Sequence, residues 1–360
     1  MKITIAQPLR PFSHQSGSSC IIPYSRWKMT AFPSLIRLQH MTEADTLEIH
    51  LSLQGPVKEF TVQQDLEKGA VLIFGVALQG YFRFVLRQKD RGLCLDIEKT
   101  PALGLHLLID NQSYDIQGSG EIVLSVKQEP TAFRIQEKLS LGVHKCQDFA
   151  LIRKRAQMAE IFPHWLRLSQ MIPHTPVAAA SCGIIDLLDQ CASAVSDANR
   201  LAVIPSFLPV FLAGFSSILS PRLQDDEFQG IVAATSYPVG CSSLDVISKG
   251  AKIIRSLFFK EAGATYHILP CLPPEFHCGR FIGIETICGD RFDIAWSKKQ
   301  LHTMIIYPLE TKEMDLSLPK DIRSFRLRTC LSDKGVVLDA LAPVLCKQGQ
   351  TVYLDRFERS

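Results

Sequence analysis

The feature that most constrains the fold is a double change in the spacing of apolar residues. Up to about Glu129, apolar and polar residues alternate in short runs such as Leu47–Leu53, which is typical of half-buried strands. From about Arg134 to Glu261 the spacing becomes three to four residues, which indicates amphipathic helices. From Ala264 the alternation returns. This order predicts a multi-domain α+β protein with an N-terminal antiparallel β-sandwich, a short central helical section and a C-terminal β-sandwich.

The length of the chain supports several domains. A single core tends to stop growing at about 250–300 residues, and this chain has 360. We place the domains at residues 1–130, 131–262 and 263–360. The opening segment Pro8–His14 contains two prolines and is expected to be an irregular packed arm.

Runs of period two, closed by glycine or proline, mark the expected strands. The clearest runs are Leu47–Leu53, Tyr81–Leu86, Cys94–Ile97, Leu105–Ile109, Glu121–Val126, Thr265–Leu269, Phe281–Glu285, Phe292–Trp296, His302–Ile306 and Ser324–Arg328. Ala70–Leu78 is nearly all apolar and predicts a strand that is buried on both faces.

Four to five helices are expected between the two β sections, and four can be given bounds. The first begins near Phe149 and breaks at Pro163, because proline removes a backbone donor. The others are Ala178–Ala194, Phe207–Leu219 and Leu244–Phe259, the last ended by Gly263.

Charge and motif content argue against several classes of protein. The net charge of +3 is dispersed, without a basic stripe that carries aromatics, so nucleic acid is not an expected partner. No nucleotide loop or metal motif is present, and no cofactor is expected. The eleven cysteines form no C-x-x-C pair and are expected to be reduced thiols in a cytoplasmic protein. The apolar stretch Leu201–Leu219 is diluted by prolines and serines, so no membrane span is expected.

A Leu-Pro-Cys-Leu-Pro segment at Leu269–Pro273 is followed at fixed gaps by further small, acidic and aromatic residues. These are Gly279, Gly283, Gly289, Asp293, Trp296 and Leu301. The pattern resembles the junction between the helical barrel and the C-terminal β-domain of family 95 glycoside hydrolases, the α-L-fucosidase-like enzymes. It covers about a tenth of the chain. Phe276, Ile287, Cys288 and Asp290 depart from the family pattern.

The resemblance implies an active site in the helical section, with one group protonating the glycosidic oxygen and another activating water. A barrel of twelve helices needs over roughly 200 residues, and the central section offers only about 130. The barrel is therefore expected to be reduced or absent, and no catalytic residue carries over from the family. The run Leu141–Asp148 and the opening Arg10–His14 are similar to uncharacterised proteins from bacteria of the chlamydial group, which implies no function.

One polar patch is expected in the helical section. His144 and Asp148 are four residues apart, and Glu160 and His164 repeat this spacing, which suits an oriented acid or base if each pair lies on a helix. Trp165 is a candidate for stacking on a sugar ring. The structural alternative is that Asp148 opens a helix and the histidines are capping or surface groups.

The run Asp225-Asp226-Glu227 forms a second acidic candidate, because adjacent acids repel each other unless a sugar or a cation offsets their charge. Its alternative is an ordinary helix N-cap. The catalytic candidates are thus Asp148, Glu160, Asp226 and Glu227, and the substrate-binding candidates are His144, His164 and Trp165.

Three functions remain open from the sequence. The first is a non-catalytic relative of glycoside hydrolases that binds carbohydrate or acts as a scaffold. The second is a compact glycoside hydrolase with a carboxylate pair in the helical section. The third is a structural protein that binds a protein partner, in which the sugar link is only ancestral. The sequence leaves open whether the protein is an enzyme.

Overall fold

The computed structural model describes residues 2–90, 92–126, 136–173, 183–231 and 242–359. Within these residues the predicted α+β architecture is confirmed, with antiparallel sheets at both ends of the chain and five helices between them. The predicted boundary between residues 130 and 131 lies outside the described residues.

Twelve strands build the N-terminal sandwich. They are β1 Phe12–Ser13, β2 Ser18–Ile21, β3 Trp27–Phe32, β4 Leu35–His40, β5 Thr46–Leu51, β6 Lys58–Asp65, β7 Ala70–Ala77, β8 Gly80–Lys89, β9 Gly92–Lys99, β10 Leu105–Ile109, β11 Gln112–Ile116 and β12 Gly120–Val123. They form two antiparallel sheets, in the orders β1-β6-β7-β8-β9-β12 and β11-β10-β5-β4-β3-β2. Ile73 and Phe84 from one sheet and Met29 and Ile49 from the other are fully buried in a shared core.

The N-terminal arm is partly regular. Phe12–Ser13 pairs with β6, and the backbone N–H of Phe12 donates to the carbonyl of Gln147 at 3.0 Å. The arm thus joins the sandwich to the segment that precedes the helices.

In its described residues, the central section contains one strand, five helices and a small hairpin. These elements are β13 Lys138–Ser140, α1 Phe149–Arg155, α2 Met158–Ser169, α3 Ile184–Ser196, α4 Val203–Gly214, β14 Phe215–Ser216, β15 Ser220–Pro221 and α5 Ser243–Phe258. α5 matches its prediction and begins with a capping box. The Ser242 side chain accepts from a backbone N–H of the first turn, and the Asp245 side chain accepts from the backbone N–H of Ser242.

Other helix boundaries differ from the prediction. Pro163 lies inside α2 and does not end a helix. The break occurs earlier, at Ala156, which adopts a left-handed conformation (φ 48°) between α1 and α2. α4 ends at Gly214, and the chain then turns back through the β14–β15 hairpin. A strand follows α5 directly, and Gly263 lies in the turn after that strand, so it does not cap α5. For the predicted helix Ala178–Ala194, residues 178–182 lie outside the described part of the chain.

Ten strands build the C-terminal region. They are β16 Phe259–Ala262, β17 Thr265–Ile268, β18 Gly279–Glu285, β19 Arg291–Ser297, β20 Gln300–Tyr307, β21 Lys312–Ser317, β22 Ile322–Arg328, β23 Val336–Asp339, β24 Val344–Cys346 and β25 Val352–Arg359. One sheet has the order β13-β18-β19-β20-β25-β22-β23 and the other β16-β17-β21-β24. The rings of Phe259 and Phe292 join the two sheets, with their centroids 5.0 Å apart.

One continuous apolar core runs through the predicted domains. The buried set extends from Leu9 in the arm through the helices to Leu354 in β25. β13, from the predicted helical section, is an edge strand of the C-terminal sheet and pairs with β18. The helices are therefore held between the arm, the N-terminal sandwich and the C-terminal sheets.

Candidate functional site

The predicted patch of the helical section lies where the N-terminal arm meets the start of α2. Glu160, in the first turn of α2, is only 7 % exposed. Its carboxylate accepts a hydrogen bond from Arg155 Nε at 2.8 Å and a second one from the same guanidinium, and Lys145 Nζ lies 3.6 Å away. Both carboxylate oxygens therefore bind cations of the protein itself.

His164 lies one turn further along α2 and is 4 % exposed. Its Nδ1 lies 2.7 Å from the carbonyl oxygen of Glu160, and its Nε2 lies 3.1 Å from Gln147 Oε1. Gln147 is fixed in turn, because its Oε1 accepts from the Arg10 N–H and its Nε2 donates to the carbonyl of Pro8. Burial lowers the pKa of His164 from 6.5 to about 4, so its ring is neutral at pH 7.

A small cavity of about 30 Å³ borders Glu160 and His164. A water molecule needs roughly 10–15 Å³ in this measure, whereas ligand sites span roughly 300–1,000 Å³. The cavity has room for water and none for a sugar ring. Glu160 and His164 thus lie one turn apart on α2, but the space that they border is too small for a sugar.

His144 and Asp148 do not form the predicted helical pair, because the described segment 141–147 is not helical. Asp148 is the N-cap of α1 and accepts from the N–H of Ala150 at 2.9 Å, which agrees with the structural alternative. His144 is exposed, and its Nδ1 lies 3.0 Å from Gln7 Oε1.

Trp165 is a core residue with no exposed surface. Its indole N–H donates to the carbonyl of Ile247 at 3.0 Å, and its ring lies edge-on to Phe215. The ring lies against the backbone of Gly250, where an added Cβ would come within 2.1 Å of it. A sugar has no access to this ring in the structure.

Asp226 and Glu227 lie in an irregular loop after β15 that does not open a helix, so the predicted N-cap role of this loop was wrong. Glu227 binds Arg222 Nη1 at 3.1 Å and Arg153 Nη2 at 3.3 Å. Asp226 is exposed. Arg153 binds Glu227 and Arg155 binds Glu160, so α1 contacts both predicted acidic clusters.

Sequence reasoning missed a buried carboxylate at Glu137. This side chain binds the guanidinium of Arg255 through both oxygens, at 3.0 and 3.1 Å, and accepts from the N–H of Glu285. Burial raises the pKa of Glu137, although the charge of Arg255 opposes that shift. The guanidinium of Arg255 also forms an ion pair with the carboxylate of Glu261. The partners are more than a hundred residues apart in the chain, so no local pattern could have revealed them.

The residues that resemble the glycoside hydrolase junction have structural roles. Trp296 is buried and donates to the carbonyl of Phe276 at 3.1 Å, and its ring lies directly against Gly279, where a Cβ would come within 2.2 Å. Asp293 accepts from the N–H of Gly283 at 2.7 Å, and Gly283 has a positive φ of 66°. The spacing of these residues thus fixes the first strands of the C-terminal sheet.

An open groove lies elsewhere, between the edge strands β11 and β12 of the N-terminal sandwich. We call it the edge trough. Its volume is about 470 Å³. It is lined by Tyr114, Asp115, Ile116, Gln117, Ser119, Gly120, Glu121, Ile122 and Val123.

Three polar side chains of the edge trough have a partner within the protein. The hydroxyl of Tyr114 donates to Gln112 Oε1 at 2.8 Å. Asp115 Oδ1 lies 2.8 Å from His106 Nδ1, and Glu121 Oε2 lies 2.6 Å from Lys89 Nζ. The lining therefore includes a half-buried aromatic ring, two carboxylates, an amide and a hydroxyl, with Tyr114 packed toward the core and Asp115 on the opposite face of β11. The alternation in Glu121–Val126 predicted one wall of this groove as a strand, but nothing in the sequence predicted the groove.

Among the described residues, no group of three or more His, Cys, Asp or Glu side chains is arranged to hold a metal ion. The cysteines in the same ranges are free thiols. In the described part of the chain, none of the helices has both the length and the apolar character needed to cross a membrane. Comparison with known proteins gave no match to any family model and no match to any curated protein.

Proposed function

We propose that this chain is a non-catalytic relative of glycoside hydrolases that binds carbohydrate in the edge trough. The observation that carries the proposal is the trough itself. Its volume of about 470 Å³ lies within the range of ligand sites, roughly 300–1,000 Å³. Its walls combine the ring of Tyr114 with several hydrogen-bonding side chains.

This combination suits a sugar. The C–H faces of a sugar ring pack on an aromatic side chain, and its hydroxyl groups need both donors and acceptors. Asp115 and Glu121 supply acceptors, Ser119 supplies a hydroxyl, and the amide of Gln117 supplies both kinds of group. Ile116 and the buried Ile122 supply the apolar part of the lining.

The ion pairs of two predicted catalytic acids support the absence of catalysis. Glu160 binds Arg155 and Lys145 beside a cavity of about 30 Å³, and Glu227 binds Arg153 and Arg222. Glycoside hydrolysis needs two carboxyl groups on either side of a bound sugar. Glu160 and Glu227 are engaged with arginine instead, which favours binding without catalysis.

The test is calorimetric titration of the full chain with a panel of mono- and oligosaccharides, fucosides included, beside a chromogenic glycoside assay on the same samples. We expect binding without turnover. Tyr114→Ala should raise the dissociation constant at least about tenfold, equivalent to about 1.4 kcal/mol, because it removes the stacking face.

The matched control is Tyr81→Ala, which removes an exposed tyrosine from β8 of the same sandwich without touching the lining of the trough. The control should bind sugar like the wild type. Equal binding by Tyr114→Ala and the wild type, or no binding of any sugar, would contradict the proposal. Turnover that is lost in Asp115→Asn or Glu121→Gln would instead establish a glycosidase in the trough.

A further inference from the structure

The patch around Glu160 is partly covered by a short extended segment near the start of the chain. Residues Ile3–Gln7, which we call the strap, lie outside the helices and strands of the fold. Along the strap, buried or half-buried side chains alternate with exposed ones, and Ile3 is only 6 % exposed. Ile5 and Gln7 line the same small cavity as Glu160. The strap therefore supplies part of the cover that closes this patch.

The strap is weakly attached to the rest of the protein. In the described part of the chain, none of its backbone N–H groups donates to a backbone carbonyl. The side chain of Gln7 makes two contacts with the segment 141–147, at 3.3 and 3.0 Å, and the carbonyl of Thr4 accepts from Arg280. All three contacts are exposed to solvent, where water competes with them. Ile3 is buried but does not belong to the continuous apolar core.

The chain is firmly held immediately after the strap. The N–H of Leu9 donates to Glu67 Oε1 at 3.2 Å, and the carbonyl of Leu9 accepts from the N–H of Leu66 at 3.0 Å. The carbonyl of Pro8 accepts from Gln147 Nε2 at 2.8 Å. The attachment thus changes from weak to firm between the strap and Pro8.

We propose that the strap is a displaceable cover, and that its release opens the patch around Glu160 and His164 to solvent and to small solutes. The proposal does not depend on sugar binding in the edge trough. Much of the remaining lining of the cavity comes from α1, α2 and β13. These elements are held by helical hydrogen bonds or by pairing with β18, so the strap is the part of the lining that moves at the least cost.

The release of the strap changes what His164 can meet. This side chain is 4 % exposed, and its Nε2 lies 3.1 Å from Gln147 Oε1. A buried imidazole meets a reagent in solution only when the protein opens locally, whereas an exposed one meets it at all times. The reactivity of His164 therefore reports how often the strap is released.

The test is the rate at which diethyl pyrocarbonate modifies His164 in the full chain at pH 7, followed by mass spectrometry. The ring is neutral at this pH, so a slow reaction reports the cover and not protonation. Ile3→Asp should raise the rate at least about tenfold, because a charged side chain cannot keep this buried position. Arg280→Ala should raise it about two- to fivefold, because it removes the hydrogen bond to the carbonyl of Thr4. Neither residue lines the cavity.

The matched control is Thr4→Ala, which lies in the strap itself. The side chain of Thr4 is exposed, and the contact with Arg280 uses the backbone carbonyl, so this variant should react like the wild type. His106, which is exposed on the N-terminal sandwich, is the internal reference and should react equally in all of these proteins.

Urea denaturation of the same samples separates release of the strap from global unfolding. An unchanged rate at His164 in both Ile3→Asp and Arg280→Ala would overturn the proposal, as would an equal rise in Thr4→Ala. A rise in Ile3→Asp that only matches its loss of global stability, with Arg280→Ala unchanged, would also overturn it. Sugar titration of Ile3→Asp should give the wild-type result, so failure here and failure of the edge trough as a binding site can be told apart.

Discussion

The patch around Glu160 and the edge trough contain the same kinds of side chain, yet they differ in what those side chains contact. Around Glu160, the carboxylate, the histidine and the glutamine all bind other protein groups and enclose about 30 Å³. In the trough, Asp115 and Glu121 have one partner each and border about 470 Å³ of open space. A polar pattern on a helix therefore indicates a functional site only when packing leaves its groups open to a ligand.

Trp165 provides the strongest test of this comparison. If the ring is a core residue, Trp165→Ala should lower the free energy of unfolding by about 3–5 kcal/mol, because it opens a large cavity and leaves the carbonyl of Ile247 without its donor. Urea denaturation followed by circular dichroism measures the change. Trp165→Phe, which keeps an aromatic ring, should lose less, and a stability equal to the wild type in Trp165→Ala would contradict the core assignment.

His164 tests whether the patch is closed to solvent. The pKa of the folded protein is lowered to about 4, while the unfolded chain titrates near 6.5. As the pH falls through this window the unfolded chain takes up a proton that the folded state excludes, so stability is lost with acid. The part due to His164 should reach roughly 3 kcal/mol across the window.

The measurement is the free energy of unfolding of the wild type and of His164→Gln in the same buffers from pH 7 down to about 4.5. The carboxylates of both proteins lose stability with acid alike, so the difference between the two curves isolates the histidine. We expect the variant to lose less stability than the wild type. Parallel curves would show that His164 is open to protonation in the folded state.

Much of the fold could be predicted because strands with one buried face alternate in sequence. β5, β10 and β20 were found in this way, β7 was found from a nearly continuous apolar run, and α5 from its apolar spacing. β3 was missed although Met29 and Ala31 alternate with Lys28 and Thr30, so the signal for this strand was present in the sequence.

The break between α1 and α2 could not be predicted. Ala156 takes a left-handed conformation that alanine rarely adopts, whereas Pro163, the obvious breaker, lies inside α2. This break turns Arg155 back onto Glu160 and so closes the patch. A helix that continued through residue 156 would have placed these side chains differently, which is why the spacing of Glu160 and His164 alone suggested an open site.

The edge trough was beyond sequence reasoning for a different reason. It arises where the chain passes from the edge of one sheet at β11 to the edge of the other at β12, so its shape depends on how the two sheets pack. Each wall is an ordinary strand. Only the pairing of β11 with β10 and of β12 with β9 brings the two walls together.

The smallest expected effect concerns the wall of the trough. Asp115 is exposed, and its contact with His106 lies at the surface, where an ion pair contributes little. Asp115→Asn should therefore change the free energy of unfolding by less than about 0.5 kcal/mol, while it weakens sugar binding by removing a charged acceptor. Urea denaturation beside calorimetric titration measures both effects. A large loss of stability would mean that this carboxylate stabilises the fold as strongly as that of Glu160 does, and the contrast between the two regions would no longer hold.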